Sequence, residues 1–193
     1  MIKLNRPICP EPDRLAGNYK HPANKASLKD ACNDKCMYCE SKISHIDHAH
    51  VEHIKPKSKY PELKFKWTNL GYSCPKCNNA KGQKFSTQTP YLDPYAEDPS
   101  SHLFLSGSLY FPRNGSERAE LTIRDIELNR PSLVERRYLL ICQIDIALKA
   151  CFRTENADIR AAAFKEIERE AEDRAEFSLC VKSHIEAHGR TTQ

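Results

Sequence analysis

Residues 36–82 read CMYCESKISHIDHAHVEHIKPKSKYPELKFKWTNLGYSCPKCNNAKG. Two Cys-x-x-Cys knuckles, Cys36/Cys39 and Cys74/Cys77, bracket the stretch, with 34 residues (40 through 73) between them. Each knuckle presents two thiolates to one ion, and two knuckles complete a closed tetrahedral sulfur site of the kind that suits structural zinc. Such a site leaves no open coordination position, so its expected role is to tie two distant segments together rather than to do chemistry. A pair of redox dithiols is the competing reading. Cys74-Pro75-Lys76-Cys77 has that form, but no strand-helix context supports it.

The remaining five cysteines (Cys9, Cys32, Cys142, Cys151 and Cys180) are scattered. An odd total of nine and no apolar leader in MIKLNRPICPEPDRL argue against a disulfide framework and for a cytoplasmic location. Cys142 and Cys151 are expected to be small core residues; Cys32, close to the first knuckle, is the one alternative ligand. No run of apolar residues is long enough to span a bilayer. The charged share of 29% and hydrophobic share of 39% fit a folded domain.

Charge is distributed unevenly. Between Cys36 and Lys84 stand nine lysines (42, 55, 57, 59, 64, 66, 76, 81 and 84) against Glu40, Asp47, Glu52 and Glu62, a local +5 in a chain of net +4. From Cys151 onward the balance is seven bases to nine acids. Positive charge gathered around the cysteines is the footprint of a polyanion site.

Between the knuckles lie His48-Ala49-His50-Val51-Glu52-His53-Ile54-Lys55-Pro56, then Trp67-Thr68-Asn69-Leu70, then Cys74-Pro75-Lys76-Cys77-Asn78-Asn79-Ala80-Lys81-Gly82. This ordered set resembles the HNH endonuclease family, whose fold is called ββα-metal. An acidic residue followed by His-x-x-Pro, a downstream Asn-Leu, and Cys-x-x-Cys-Asn-x-x-Lys opening a helix are each common alone; in this order they are specific. The resemblance implies an α+β fold with a zinc-bound ββα-metal core. It implies His53 as general base, Glu52 and Asn78 as ligands of a catalytic magnesium or manganese ion, and Asn69 as a brace of loop backbone. Lys81 is implied to face phosphate. Independent chemistry agrees. Phosphodiester hydrolysis needs a base near neutral pKa and a cation for the developing charge, and hard oxygen ligands suit such a cation. Successive residues of a regular strand face opposite ways, so Glu52 and His53 can serve one centre only if the strand bends or ends there. His50 shares the side of Glu52 and is either a further ligand or a surface residue; Asn79 is the alternative to Asn78. Lys55, Lys57, Lys59 and Lys81 are the expected contacts to nucleic acid, DNA favoured and RNA second, holding backbone rather than reading bases. The rival function is a non-catalytic zinc-ribbon binding or scaffold protein.

The rest of the chain divides into an N-terminal arm and short helix (1–35), the zinc-framed core (36–90), a loop and small hairpin (91–130) and a C-terminal helical region (131–193). Residues 1–22 hold four prolines and read as extended; Asn24 to Lys35 reads as a helix; residues 43–54 read as strand with a turn, and Asn78 to Lys84 as the start of a helix. Segments 102–105 and 108–112 flank Ser106-Gly107 as a hairpin. Apolar residues from Leu133 to Phe152 recur at helical spacing, and Asp158 to His188 reads as one long charged helix. Ile2 to Pro7, Tyr60 to Leu70, Leu92-Asp93-Pro94 and Leu121 to Arg130 are similar to the HNH subunit of bacterial Septu-type and retron-associated anti-phage systems, the PtuB family. That resemblance implies an ABC-type ATPase partner. The chain carries no P-loop of its own. The C-terminal helices are expected either to dock that partner or to pack on the nuclease core.

Overall fold

The computed structural model describes residues 1–43 and 48–189. Its elements are α1 (Pro12–Leu15), α2 (Pro22–Ala31), β1 (His50–His53), β2 (Leu70–Ser73), α3 (Pro75–Lys81), β3 (Leu103–Ser106), β4 (Leu109–Pro112), α4 (Glu117–Asp125), α5 (Pro131–Arg153), α6 (Ala157–Arg169) and α7 (Ser178–Gly189). The fold is α+β, with β1–β2 and β3–β4 as separate antiparallel pairs.

Local chemistry sets most of these boundaries. Prolines open α1, α2, α3 and α5, where a missing N–H costs nothing. Ser116 caps α4 by accepting from the Ala119 amide, and Asn156 caps α6 by accepting from Asp158 and Ile159. Gly107 at φ 56° turns the β3–β4 hairpin. The α3 helix starts inside the second knuckle, three residues before the expected Asn78. The first strand is shorter than the stretch 43–54; it begins at His50 and ends at His53.

β1 and β2 pair in the register His50–Ser73, Val51–Tyr72, Glu52–Gly71 and His53–Leu70. Gly71 is required there: a Cβ would stand 2.3 Å from the Met37 sulfur, which packs across the strand from the first knuckle.

One core draws on all four stretches of the chain, from Met1, Leu4 and Leu15 through Tyr38, Leu70 and Leu105 to Leu133, Phe177 and Cys180. The N-terminal arm is therefore a packed strap. Arg6 donates to the carbonyls of Trp67 (2.9 Å) and Leu70 (2.7 Å) and lies over the Tyr95 ring, while the Trp67 indole donates to the Pro7 carbonyl at 2.7 Å. The Leu4 amide bonds the Pro94 carbonyl.

The stretch 158–188 is two helices, not one. Between α6 and α7 the chain turns, with Phe177 at φ 52°. Tertiary bonds override helical propensity at this break. Buried Lys35 donates to the Ala175 carbonyl (2.9 Å) and the Ser178 hydroxyl (3.1 Å), and the Lys42 amide donates to Glu176 at 2.9 Å. The Ser178 hydroxyl donates to Glu40 at 2.9 Å. The start of α7 is thus seated on the residue that follows Cys39. A second, smaller cluster joins Ile144, Leu148 and Cys151 of α5 to Ile167 and Val181. Tyr138, Leu139, Ile146 and Phe152 leave an apolar row exposed on the outer side of α5.

Candidate active site

The four sulfurs of Cys36, Cys39, Cys74 and Cys77 lie within 4.8 Å of one another. Cys36, Cys39 and Cys77 are fully buried. Burial pushes the Cys36 thiol well above its usual range, whereas hydrogen bonds from the neighbouring sulfurs hold Cys39 well below. Four thiolates in so small a space demand a cation, and the donor set is one that holds a soft or borderline divalent ion. Arg130 reaches this group from the loop before α5: its Nη1 is 3.3 Å from the Cys77 sulfur and its Nη2 4.0 Å from those of Cys39 and Cys74. A positive charge at that place offsets part of the negative charge four thiolates leave around a divalent ion. Cys32 stands outside the cluster, buried with its sulfur 3.1 Å from the Tyr95 hydroxyl.

Beside the knuckles a cleft of about 430 Å³ opens at the end of β1, between that strand, α3 and the loop at Pro56. Glu52, His53, His50 and Asn78 all line it. Glu52 and His53 are neighbours, yet both reach the cleft because the strand stops at His53. On the α3 side, the His50 Nδ1 and the Asn78 side-chain amide are 2.9 Å apart. Glu52 points the same way but is buried; its Oε1 lies 2.6 Å from Lys81 Nζ and accepts from the Tyr38 hydroxyl at 3.3 Å. Burial pushes the Glu52 carboxyl up, and the Lys81 ammonium acts against that push.

His53 Nε2 is 3.0 Å from the Lys64 carbonyl. A carbonyl oxygen only accepts, so Nε2 carries the proton and Nδ1 keeps its lone pair. The Tyr19 ring packs edge-on against the imidazole, centroids 4.6 Å apart. Burial lowers the His53 pKa, and Lys57, Lys81 and Lys64 nearby act in the same direction. The ring is therefore neutral at pH 7 and able to take a proton.

Asn69 is buried away from the cleft. Its Oδ1 accepts from the Lys55 amide at 2.8 Å, and its Nδ2 donates to the carbonyls of Lys55 (3.0 Å) and Leu63 (3.2 Å). These bonds close the loop that carries Pro56 and Lys57 over the site. Asn79 is exposed and does not line the cleft, nor does His48; His45 lies outside the described residues.

The lysines fall into different classes. Lys57 lines the cleft, while Lys55 and Lys59 are exposed beyond it. Lys81 differs from the exposed lysines in its surroundings. Only 1% exposed, it gives its ammonium to Glu52 and, at 2.8 Å, to the His53 carbonyl. It braces the two site residues where they line the cleft. Removing one partner of a buried pair costs about 3–5 kcal/mol. Lys81→Met is accordingly expected to lower the free energy of urea unfolding by that order, and Glu52→Gln in the same chain to restore part of it. A double variant no more stable than Lys81→Met sinks the pairing argument.

Sequence reasoning missed Arg130 as a neighbour of the sulfurs, Tyr38 as a partner of Glu52, and Tyr19, Lys20 and Lys25 as part of the cleft lining. Tyr38 sits inside the first knuckle without being a ligand, and the others come from segments outside the motif.

Comparison with known proteins matches this arrangement. The HNH endonuclease family profile covers residues 36–84, the span from the first knuckle through α3. The Septu protein PtuB of Bacillus thuringiensis is 31% identical over 144 residues, covering 67% of this chain and 55% of that protein. The Septu protein PtuB of Bacillus mycoides is 30% identical over 159 residues, covering 66% and 54%. The chain thus spans about half the length of these two curated relatives. The candidate HNH endonuclease of retron Vc95 from Vibrio cholerae is 34% identical over 151 residues, covering 70% of this chain and 73% of that protein. With the cysteine frame, the strand-end histidine and the α3 asparagine in the order and places the motif requires, the chain belongs to the HNH endonuclease family.

Proposed function

We propose that the protein is a metal-dependent endonuclease that hydrolyses phosphodiester bonds, DNA before RNA, as the effector of an anti-phage defence assembly. The observation that carries this reading is the meeting of a neutral, oriented histidine with carboxylate, amide and imidazole donors in one basic cleft.

Zinc is the ion proposed for Cys36, Cys39, Cys74 and Cys77, about one per chain, because the buried sulfur set is closed. Glu52 and Asn78, with His50 beside them, fit a harder ion, magnesium or manganese. Half a turn of the Asn78 amide presents Oδ1 where Nδ2 stands, and the two orientations are interchangeable in such structures. When bound, that cation supplies charge stabilisation at the phosphate and at the leaving oxygen. The chain's own residues do the rest. His53 Nδ1 takes the proton of the attacking water while the Lys64 carbonyl holds the ring's tautomer. Lys81 opposes the burial that pushes the Glu52 carboxyl up, and fixes the strand end. Asn69 holds the loop that bears Lys57.

The defence role and an ABC-type ATPase partner rest on the likeness to Septu proteins and to a retron nuclease. The exposed apolar row on α5 supports a protein partner there. The start of α7 is buried on the first knuckle, so that part of the tail packs on the core, and docking is proposed for the exposed face of α5 alone. No helix among the described residues is long and apolar enough to cross a membrane.

The test is cleavage of plasmid DNA and of total RNA by the purified chain, alone and with its partner. Product is expected with magnesium or manganese and none when neither ion is added. Absence of cleavage with either ion, alone and with partner, favours a non-catalytic zinc-ribbon binding protein.

A further inference from the structure

We propose that the segment carrying Tyr19, Lys20 and Lys25 is the second wall of the cleft and holds the sugar-phosphate backbone of the strand being cut; this rests on the nuclease reading. The recognised motif begins at residue 36, yet the cleft also takes in residues before it. Tyr19, Lys20 and Lys25 line it together with His53, Lys57 and Asn78.

Three features give the wall its chemistry. The first is charge: Lys20, Lys25, Lys57 and Lys81 line a cleft whose only acid among the described residues is Glu52, a net +3 in which Lys81 and Glu52 cancel. The three remaining ammonium groups suit successive phosphates of one strand, not a small neutral ligand.

The second is the contact with the base. Tyr19 packs on the His53 ring, and its hydroxyl accepts from Lys57 Nζ at 2.6 Å, with the ammonium 4.7 Å from the ring centroid. That acceptance leaves the phenol O–H as a donor to an anionic oxygen. A phosphate held by Tyr19 and Lys57 therefore lies next to the imidazole that activates water.

The third is rigidity. Leu15 is buried before the wall, and within it Asn24, fully buried beside Lys25, exchanges hydrogen bonds with the backbone of Glu11 at 3.0 and 3.1 Å. The side chains are presented from a fixed strap, so less ordering is needed when a strand binds.

The experiment uses the full chain and a fluorescein-labelled oligonucleotide as single-stranded DNA, duplex DNA and RNA, with anisotropy read with no magnesium or manganese added over a salt series. Lys20→Ala with Lys25→Ala is expected to weaken binding about tenfold and to flatten the plot of log K against log salt by about 1.8 for duplex, two contacts at about 0.9 each, with unchanged thermal stability. Tyr19→Phe keeps the ring on His53 and is expected to raise KM in the cleavage assay more than it lowers kcat. Wild-type affinity and slope in the double lysine variant overturn the wall, as does a Tyr19→Phe effect confined to kcat, which would make Tyr19 a prop for His53 alone. Wild-type protein that binds but never cuts with magnesium or manganese removes the nuclease reading, and the lysine variant then decides the wall separately. Wild-type protein that binds no nucleic acid removes both.

Discussion

Serine in place of Cys39 or Cys77 is expected to unfold the nuclease core and release the bound zinc, not merely to slow the enzyme. Two strands of four residues each form the whole sheet of the site, and an isolated two-stranded pair is marginal in water. What closes the core is the sulfur cluster, which joins the turn before β1 to the N-terminus of α3. The apparent free energy of zinc binding to such sites, about 10–16 kcal/mol, matches or exceeds the roughly 5–15 kcal/mol by which a typical protein is stable. The damage also spreads. Glu40 follows Cys39 directly and receives the Ser178 hydroxyl and the Leu179 amide at the start of α7, so a disordered knuckle frees that helix as well. Arg130 meanwhile loses the sulfurs that balance its buried charge. Circular dichroism melts and metal analysis check this: the variants should show no cooperative transition and no zinc. A serine variant that melts like the wild type without zinc would refute the framing role.

The features legible in the sequence were those fixed by spacing. Cys36-x2-Cys39 and Cys74-x2-Cys77 brought four sulfurs together, Ser106-Gly107 marked the β3–β4 turn, and helical periodicity from Leu133 marked α5. What escaped depends on pairings across the chain. Lys81 reads as one more lysine of a basic stretch, and only the packing of α3 on β1 shows it buried against Glu52. The chain from Asp158 to His188 has a continuous helical composition, and it breaks because Lys35 and Glu40, well over a hundred residues earlier, bind the turn backbone and Ser178. Tyr19 lies in a proline-rich arm with no periodic pattern; its place on His53 follows from Arg6 and Trp67 strapping the arm to the core. Local signals thus point to the candidate site, while its surroundings are set by contacts distant in sequence.

His53→Ala is expected to lower kcat by about 10²- to 10⁴-fold, the range that general-base catalysis supplies, while fold and zinc survive. The structure separates the two consequences. The part of His53 that holds the site together is its backbone: the carbonyl accepts from Lys81, and the residue pairs with Leu70 in the strand register. Alanine keeps both. The part that is lost is the ring, which among the described residues bonds the Lys64 carbonyl and packs against Tyr19. Asn69→Ala makes the opposite case. Its side chain holds Lys55 and Leu63 by three hydrogen bonds, so its loss is expected to lower stability by about 1–3 kcal/mol and activity only as the loop loosens. Running the two side by side, with thermal melts, zinc content and single-turnover cleavage, distinguishes a residue that acts on substrate from one that supports the scaffold. Imidazole added to His53→Ala should restore part of the rate, because the missing ring leaves a space beside Tyr19 open to the cleft; it should do nothing for Asn69→Ala. Full activity in His53→Ala would move the general base elsewhere, and loss of zinc in that variant would show that the ring, not the sulfur cluster, frames the site.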